Sequence, residues 1–133
     1  MPDNKAKSET PSIAIVILNY NGMKDNFLAD FLPSVIKSLY DGVQLYVADN
    51  ASTDNSVGFL RSIGFVGQGE NTSNAVGQLI ELDQNYWFAE GYNRALKTID
   101  ADYYILLNSD VEVSPNWIKP IICLLYTSDA ADE

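Results

Sequence analysis

The 133-residue sequence contains no histidine and a single cysteine, Cys123. Without histidine, the chain lacks the usual general base of enzymes and the commonest zinc ligand. A single cysteine excludes an internal disulfide framework and a metal site built from several thiolates. Acid-base chemistry and metal binding in this chain must therefore depend on carboxylates and other oxygen ligands.

Positive charge and long apolar runs are also scarce. Eight basic residues stand against 18 acidic ones, and the formal net charge is −10, which is the wrong sign for binding nucleic acid or an anionic membrane surface. No apolar stretch approaches the roughly 20 residues of a membrane-spanning helix, and residues 1–12 lack the apolar centre of a secretory signal. We therefore predict a cytoplasmic protein with no transmembrane segment in this chain and no nucleic-acid partner.

The chain does contain enough apolar residues for the core of one domain. Hydrophobic residues make up 47% of the sequence, and its length is that of a single ordinary domain. Continuous apolar runs predict strands over 13–18, 44–48, 79–82 and 103–107. Helical spacing or capping residues predict helices over 27–39, through 59–60, over 87–99 and from Pro115 onward. The glycine-rich stretch 64–77 is predicted to be a flexible loop.

The alternation of strands and helices predicts an α/β fold with a doubly wound, mostly parallel, Rossmann-like sheet. Each predicted strand leads into a polar cluster, at residues 19–21, 49–50, 83–85 and 108–110. Ligands of such sheets bind beyond the carboxyl ends of the strands. Turn formation explains any one of these clusters equally well, but four clusters on one edge favour a binding site.

The ligand class can be narrowed by what this edge lacks. A glycine-rich dinucleotide turn and a P-loop are both absent,, and amides follow the first strand where a phospho-acceptor receiver would need carboxylates. An acid after the fourth strand can hold a hard divalent cation through oxygen. Such a cation would neutralise a diphosphate leaving group and offset the negative charge of the chain.

Four segments of the sequence resemble a known family when they are taken together. They are ILNYNG at 17–22, VADNASTDNS at 47–56, LDQNYWFAEGYNRAL at 82–96 and LLNSDVEVSPNWI at 106–118. In this order and spacing they are similar to the nucleotide-sugar-binding half of glycosyltransferase family 2, which has the GT-A fold. The resemblance implies inverting transfer of a sugar from a UDP- or dTDP-linked donor to an acceptor hydroxyl. It further implies Mg²⁺ or Mn²⁺ as cofactor and a glycan or lipid-linked acceptor, for a bacterial surface polysaccharide.

The resemblance also implies roles for particular residues. The positions that match the family's substrate-binding residues are Asn19, Tyr20, Asn21, Asp49, Asn50, Gly91, Asn93, Arg94, Asn108 and Ser109. Asn19 and Tyr20 would hold the nucleoside, and Asp49 would accept a hydrogen bond from its base. Gly91, Asn93 and Arg94 would face the ribose and diphosphate. Residues 108–110 match the family's DxD-type motif, in which Asp110 would bind the metal. Turn formation for Asp49, and a solvated helix face for Arg94, remain alternatives. Asn108 departs from the acid that many members have.

The aromatic run Tyr86-Trp87-Phe88 stands where relatives often have a glycine-containing turn. We expect these side chains to pack against the fold, and a narrowed sugar pocket is the alternative. Glu112 is expected to be an exposed charge at the end of a strand.

The sequence divides into a polar tail at 1–11, the nucleotide-sugar-binding half at 12–122 and a distinct end at 123–133. Our hypothesis is that the last eleven residues, CLLYTSDAADE, are a translated transposase adapter from shotgun library preparation, and a natural acidic tail is the alternative. The family's general base comes from a second half of the domain, so no catalytic residue is assigned here and this chain alone is expected to be inactive. A non-catalytic nucleotide-sugar-binding module is the alternative function, and peripheral binding at the inner face of the membrane is a second option for the location of the full-length protein.

Overall fold

The computed structural model describes residues 11–39, 42–109, 113–114, 117–118 and 120. Within them the chain forms five strands and three helices. The strands are β1 (Ile13–Asn19), β2 (Val43–Asp49), β3 (Phe65–Gly67), β4 (Gly77–Glu81) and β5 (Tyr103–Asn108). The helices are α1 (Phe27–Lys37), α2 (Ser56–Ser62) and α3 (Trp87–Leu96).

The five strands form one parallel sheet in the order β3-β4-β2-β1-β5. Apolar side chains of α1 and α2 pack on one face of the sheet, where Leu28, Leu32 and Leu60 are buried. Helix α3 packs on the other face through Tyr92 and Ala95. Helices on both faces explain why β1 and β2 are almost continuously apolar, and they confirm the predicted α/β, doubly wound parallel fold.

One element of the fold was predicted wrongly. Residues 64–77 were expected to be a flexible loop, but Phe65–Gly67 is strand β3, which pairs in parallel with β4. Phe65 lies in the core with 2% of its surface exposed. A three-residue strand is too short to show an alternating pattern, so the surrounding glycines and polar residues dominated the prediction. The sheet therefore has five strands rather than the four predicted.

The order of the strands defines where a ligand crevice can form. Strands β2, β4 and β3 lie on one side of β1, in that spatial order. The chain then returns and adds β5 on the other side of β1. The change of direction falls between β1 and β5, whose ends are aligned because Leu18 is the register partner of Asn108. In an open parallel sheet, the crevice used by ligands lies at this point, beyond the carboxyl ends of the strands.

Several predictions fall outside the described residues. They concern Asp110, Glu112, the helix from Pro115, residues 1–10 of the polar tail and the end at 123–133. Among the helices that the structure does describe, none has the length and apolar character needed to cross a membrane.

Candidate functional site

The ends of β1 and β2 are joined by a buried polar group that we call the Asp49 cluster, made of Asn19, Asp49 and Ser52. The Asn19 Nδ2 donates to Asp49 Oδ1 over 2.9 Å. Ser52 donates twice to the same carboxylate, from its Oγ to Oδ1 over 2.7 Å and from its backbone N to Oδ2 over 2.9 Å. Asn19 and Asp49 are 0% and 2% exposed. The carboxylate of Asp49 is thus committed to holding the turn after β2.

Asn21 and Asp54 extend this network between the two loops. The Asn21 Oδ1 accepts from the backbone N of Thr53 over 2.8 Å and from that of Asp54 over 3.2 Å. In return, the Asp54 Oδ2 accepts from the backbone N of Met23 over 3.0 Å. Asn21 adopts a left-handed conformation with φ 54°, which asparagine tolerates better than most residues. The side chain of Asn21 therefore fastens the β1 loop to the β2 loop.

Asp54 is the acid whose charge this arrangement favours. Partial burial by itself would raise the pKa of Asp54, but hydrogen bonds from Ser56, whose backbone N donates to Asp54 Oδ1 over 2.9 Å, and from the backbone N of Met23 outweigh it and lower the pKa. Hydrogen bonds donated to a carboxylate stabilise its ionised form. Asp54 is therefore held as an anion inside the loop.

Gly22 allows the β1 loop to close over Asn19. A Cβ atom at position 22 would lie 2.2 Å from the Asn19 Oδ1, a distance that no side chain can accept. That Oδ1 is buried and has no hydrogen-bond partner among the described residues. Asn19 therefore sits beneath the loop, where its Nδ2 serves Asp49.

Next to the Asp49 cluster, the edge of the sheet opens into a cleft of about 260 Å³. Its lining, which we call the aromatic cleft, consists of Leu18, Tyr20, Asn50, Asn85, Trp87 and Phe88. Tyr20, Trp87 and Phe88 are 47%, 78% and 63% exposed. Half of the large hydrophobic side chains that the described residues expose therefore line this one cleft. Exposed aromatic surface gathered in a concave site is typical of a ligand pocket.

Asn50 holds one wall of the aromatic cleft in place. Its Oδ1 accepts from the backbone N of Tyr86 over 2.9 Å, and its Nδ2 donates to the backbone O of Trp87 over 2.9 Å. Gly91 lets α3 approach this amide, because a Cβ there would lie 3.0 Å from both the Asn50 Nδ2 and a Leu18 methyl carbon. The start of α3 is thus fixed to the ends of β1 and β2.

The exposed face of α3 carries Arg94, the positively charged residue predicted to face the diphosphate. Arg94 Nε donates to Glu90 Oε2 over 2.8 Å, and its guanidinium lies 4.1 Å from the centre of the Tyr86 ring. The Tyr86 hydroxyl also donates to Asp83, and this bond lowers the pKa of Asp83 and raises that of Tyr86. Asn93 is exposed beside Arg94. Arg94 therefore lies on a solvated helix face with two partners of its own.

The far side of the crevice is the end of β5. The buried Tyr92 of α3 joins the two strands there, since its hydroxyl donates to the Leu107 O over 2.6 Å and accepts from the Leu18 N over 3.4 Å. Burial raises the pKa of Tyr92. Asn108 is exposed and Ser109 half-buried. Both offer oxygen atoms that suit a hard cation, but the described residues contain no group of three or more acidic, histidine or cysteine side chains that could hold a metal by itself.

The predicted site residues lie on three parts of the fold: the ends of β1 and β2 with the loops that follow them, helix α3, and the end of β5. Asn19, Asn21 and Asp49 meet in or beside the Asp49 cluster, and Tyr20 and Asn50 line the aromatic cleft. Gly91 packs under the cleft, whereas Asn93 and Arg94 face solvent. Asn108 and Ser109 end β5.

The sequence analysis missed or misjudged other residues at this edge. Ser52, Asp54 and Asn85 were not assigned to the site, although the segment Asn-Ala-Ser-Thr-Asp gave a signal for the first two and 83–85 was one of the polar clusters that follow the predicted strands. The expectation that the aromatic run packs against the fold was wrong for Trp87, which is 78% exposed. Phe88 contacts Tyr92 edge-on, with 5.1 Å between ring centres, but remains largely exposed.

Fold and site together define an α/β protein with a ligand crevice at the carboxyl edge of a parallel sheet. The family model for glycosyl transferase family 2 matches residues 14–131, and the chain therefore belongs to glycosyltransferase family 2. An uncharacterized glycosyltransferase of Haemophilus influenzae is 21% identical over 119 residues, which are 90% of this chain and 34% of that relative. The chain spans about a third of the length of the curated relative that it matches.

Solved structures show the same fold. The S. aureus TarS fragment 1-349 in complex with UDP-GlcNAc matches with a TM-score of 0.69 at 17% identity, over 86% of this chain and 31% of that one. A mannosyltransferase from Pyrobaculum calidifontis in complex with GDP-Man and Mn²⁺ matches with a TM-score of 0.62 at 20% identity, over 77% of this chain and 28% of that one. These similarities confirm the GT-A type of α/β fold.

Proposed function

We propose that this chain binds the nucleoside diphosphate of a sugar donor, as the donor-binding part of a glycosyltransferase. The observation that carries the proposal is the position of the aromatic cleft, at the carboxyl edge of β1 where the strand order changes direction. Membership of glycosyltransferase family 2 supports a nucleotide sugar as the ligand. The TarS complex with UDP-GlcNAc makes UDP the first nucleotide to test.

The residues at and near the carboxyl ends of the strands have different roles in binding. Tyr20 and the rest of the aromatic cleft offer apolar faces to the nucleoside. The Asp49 cluster positions these faces by fixing the loops after β1 and β2, and its buried carboxylate acts through the turn that it holds. Arg94 and Asn93 would face the ribose and diphosphate from α3, with Gly91 allowing the helix to come close. Asn108 and Ser109 lie across the crevice, on the side where the phosphates would leave.

The reaction that we propose for the full-length protein is an inverting transfer of a hexosyl group. The oxygen of an acceptor hydroxyl bonds to the anomeric carbon, the bond from that carbon to the diphosphate breaks, and the hydroxyl proton passes to a carboxylate base. The described residues assign no such base, and this chain spans only about a third of its curated relative. We therefore expect the 133-residue chain to bind the donor without transferring its sugar. A bacterial surface polysaccharide is the proposed product.

A divalent cation is part of the proposal. Asn108, Ser109 and Asp110 supply the oxygen donors that Mg²⁺ and Mn²⁺ prefer, and the Pyrobaculum mannosyltransferase was solved with Mn²⁺. When bound, the cation would neutralise negative charge on the diphosphate. Such a cation would also offset part of the formal charge of −10 on the chain,.

Calorimetric titration of the 133-residue chain with UDP, in the presence of Mn²⁺, tests the proposal. Tyr20→Ala should weaken UDP binding by about 5- to 100-fold, since loss of one base-aromatic stack costs about 1–3 kcal/mol. Phe27→Ala is the matched control, because Phe27 is an aromatic residue of similar exposure, at 41%, on α1 and outside the cleft. Absence of binding of UDP, dTDP and GDP to the folded chain would contradict the proposal.

A non-catalytic nucleotide-sugar-binding module is the second candidate. Asn108 favours it, because an amide at the end of β5 is a weaker metal ligand than a carboxylate,. The two candidates differ in turnover. Slow hydrolysis of a UDP-sugar by the full-length protein, abolished by Asp110→Asn, is the result expected of the enzyme. Tight binding without any hydrolysis or transfer is the result expected of the module.

A further inference from the structure

Trp87 is the most exposed large hydrophobic residue among those that the structure describes. Its side chain is 78% exposed, whereas the other tryptophan, Trp117, packs against the core and donates its indole N–H to Ser38 Oγ over 2.7 Å. Leaving an indole in water forgoes the stabilisation that its burial would provide. The sequence therefore places a large apolar surface where folding gains nothing from it.

The backbone of Trp87 is also in a costly conformation. Its φ is 65°, in the left-handed region that bulky side chains rarely adopt and that glycine adopts freely. Two side-chain hydrogen bonds hold it there. The backbone N donates to Asn85 Oδ1 over 2.8 Å, and the backbone O accepts from Asn50 Nδ2 over 2.9 Å. Strain that the surroundings enforce in this way is found preferentially at functional sites.

The chemistry of the aromatic cleft indicates which part of a donor Trp87 meets. The lining consists of aromatic and aliphatic faces and two amides, and it includes no charged residue. A phosphate group would find no cationic side chain in such a lining. A flat heteroaromatic ring with polar edges suits it, because the ring stacks on aromatic faces and its edge can bond to amides.

We propose that Trp87 is a specificity-determining platform that stacks on the nucleobase of the donor, an inference that rests on the function proposed above. The hydrogen bonds of Asn50 and Asn85 to the Trp87 backbone order the turn around the indole before the ligand arrives, so less conformational entropy is lost on binding. Because the platform is a large ring, it favours a nucleotide over a bare sugar phosphate.

Intrinsic fluorescence can report this contact directly, since the chain has only two tryptophans. Trp117→Phe leaves Trp87 as the sole emitter, and UDP should then quench most of the emission as the base stacks on the indole. Trp87→Phe leaves Trp117, whose emission should not change with UDP. Emission that responds to UDP only through Trp117 would overturn the proposal.

Affinity measurements on Trp87→Gly complete the test. Glycine suits a φ of 65°, so this variant should unfold at a temperature equal to or higher than that of the unmodified chain. Its affinity for UDP should nevertheless fall by about 5- to 100-fold. Phe27→Leu, outside the cleft, should change neither quantity.

The outcomes distinguish failure of the Trp87 proposal from failure of the proposed function. If Trp87→Gly binds UDP as tightly as the unmodified chain while Tyr20→Ala binds weakly, the role of Trp87 is overturned and the proposed function stands. If Trp87→Gly weakens binding of a UDP-hexose but not of UDP, the indole contacts the sugar and the proposal is equally overturned. If the unmodified chain binds no nucleotide, both fail together.

Discussion

The Asp49 cluster and the aromatic cleft lie side by side at the same sheet edge, yet they use their side chains in opposite ways. The cluster buries a carboxylate and an amide and satisfies them largely with each other and with Ser52. The cleft exposes three aromatic rings that contribute little to the core. The comparison teaches that polar residues beside a ligand site can be positioning residues, while the apolar ones meet the ligand. Asn50 combines the two uses within the cleft, because it belongs to the lining and its buried amide fixes the wall.

Removing the carboxylate of Asp49 should produce the largest loss of stability. Asp49→Ala removes the acceptor of three donors, the Asn19 Nδ2 and the N and Oγ of Ser52, and leaves the Asn19 Nδ2 only its longer bond of 3.4 Å to Ser52 Oγ. We expect the free energy of unfolding to fall by about 3 kcal/mol, because each buried unpaired donor costs about 1–3 kcal/mol before relaxation. Urea unfolding followed by circular dichroism measures this change.

Asp49→Asn is the matched control for that prediction. It keeps the shape and one acceptor but turns an N–H group toward donors, so the loss should be about half as large. If the Asp49→Ala protein is as stable as the unmodified chain, the distinction between the two regions is wrong. The Asp49 carboxylate would then not be needed to hold the turn and would be available to bind the ligand.

A methyl group at Gly91 should produce a smaller loss. Gly91→Ala places a Cβ 3.0 Å from Asn50 Nδ2 and pushes α3 away from the sheet. The overpacking should cost about 1–3 kcal/mol, of which the better helix propensity of alanine recovers about 1 kcal/mol. Thermal unfolding should show a lower midpoint, and UDP should bind more weakly because the wall of the cleft moves.

Gly58→Ala provides the contrasting case on α2. A Cβ at position 58 meets no atom within 4 Å, so helix propensity alone should stabilise the protein by about 0.5–1 kcal/mol. If both glycine variants gain stability equally, the close approach of α3 to Asn50 is not a real constraint.

The smallest expected effect concerns acid stability. The pKa of Asp54 lies below its ordinary value of 3.8 when the protein is folded. Its contribution to stability is therefore present above that value and is lost as the pH falls through the lower, folded pKa. Asp54→Asn should lower stability by about 1 kcal/mol or less at pH 7 and by less still near pH 3.

Unfolding in urea at several pH values between 7 and 3 measures this dependence. Asp25→Asn, at an exposed acid of the neighbouring loop after β1, is the control for removing one negative charge from this part of the surface. A profile for Asp54→Asn that parallels the unmodified chain would show that the Asp54 carboxylate is not held as an anion by the loop.

Much of this architecture follows from the sequence because its causes are local. Strands β1 and β2 are continuous apolar runs, and such runs are readable without tertiary information. The start of α3 at Trp87 followed from the spacing of Phe88, Tyr92 and Ala95. Strand β3 was missed because its three residues gain their stability from pairing with β4, which no local pattern records.

The site was predictable as a set of positions but not as a division of roles. Asp49 was expected at the ligand, and the sequence could not reveal that Asn19 and Ser52 surround its carboxylate. Trp87 was expected to pack, because aromatic residues in a globular chain usually do. Its exposure depends on a left-handed turn that Asn50 enforces from a distance of 37 residues along the chain.

The most direct test of the central claim is a titration of the ¹⁵N-labelled chain with UDP, followed by nuclear magnetic resonance. The buffer contains Mg²⁺ and no Mn²⁺. The account predicts that the largest shifts fall on Tyr20, Asn85, Phe88 and the indole N–H of Trp87. The resonances of the indole N–H of Trp117 and of residues at the amino ends of the strands, such as Gln44 and Gly77, should not shift. Shifts concentrated at the amino ends of the strands, or no shifts at all, would contradict the assignment of the aromatic cleft as the nucleotide site.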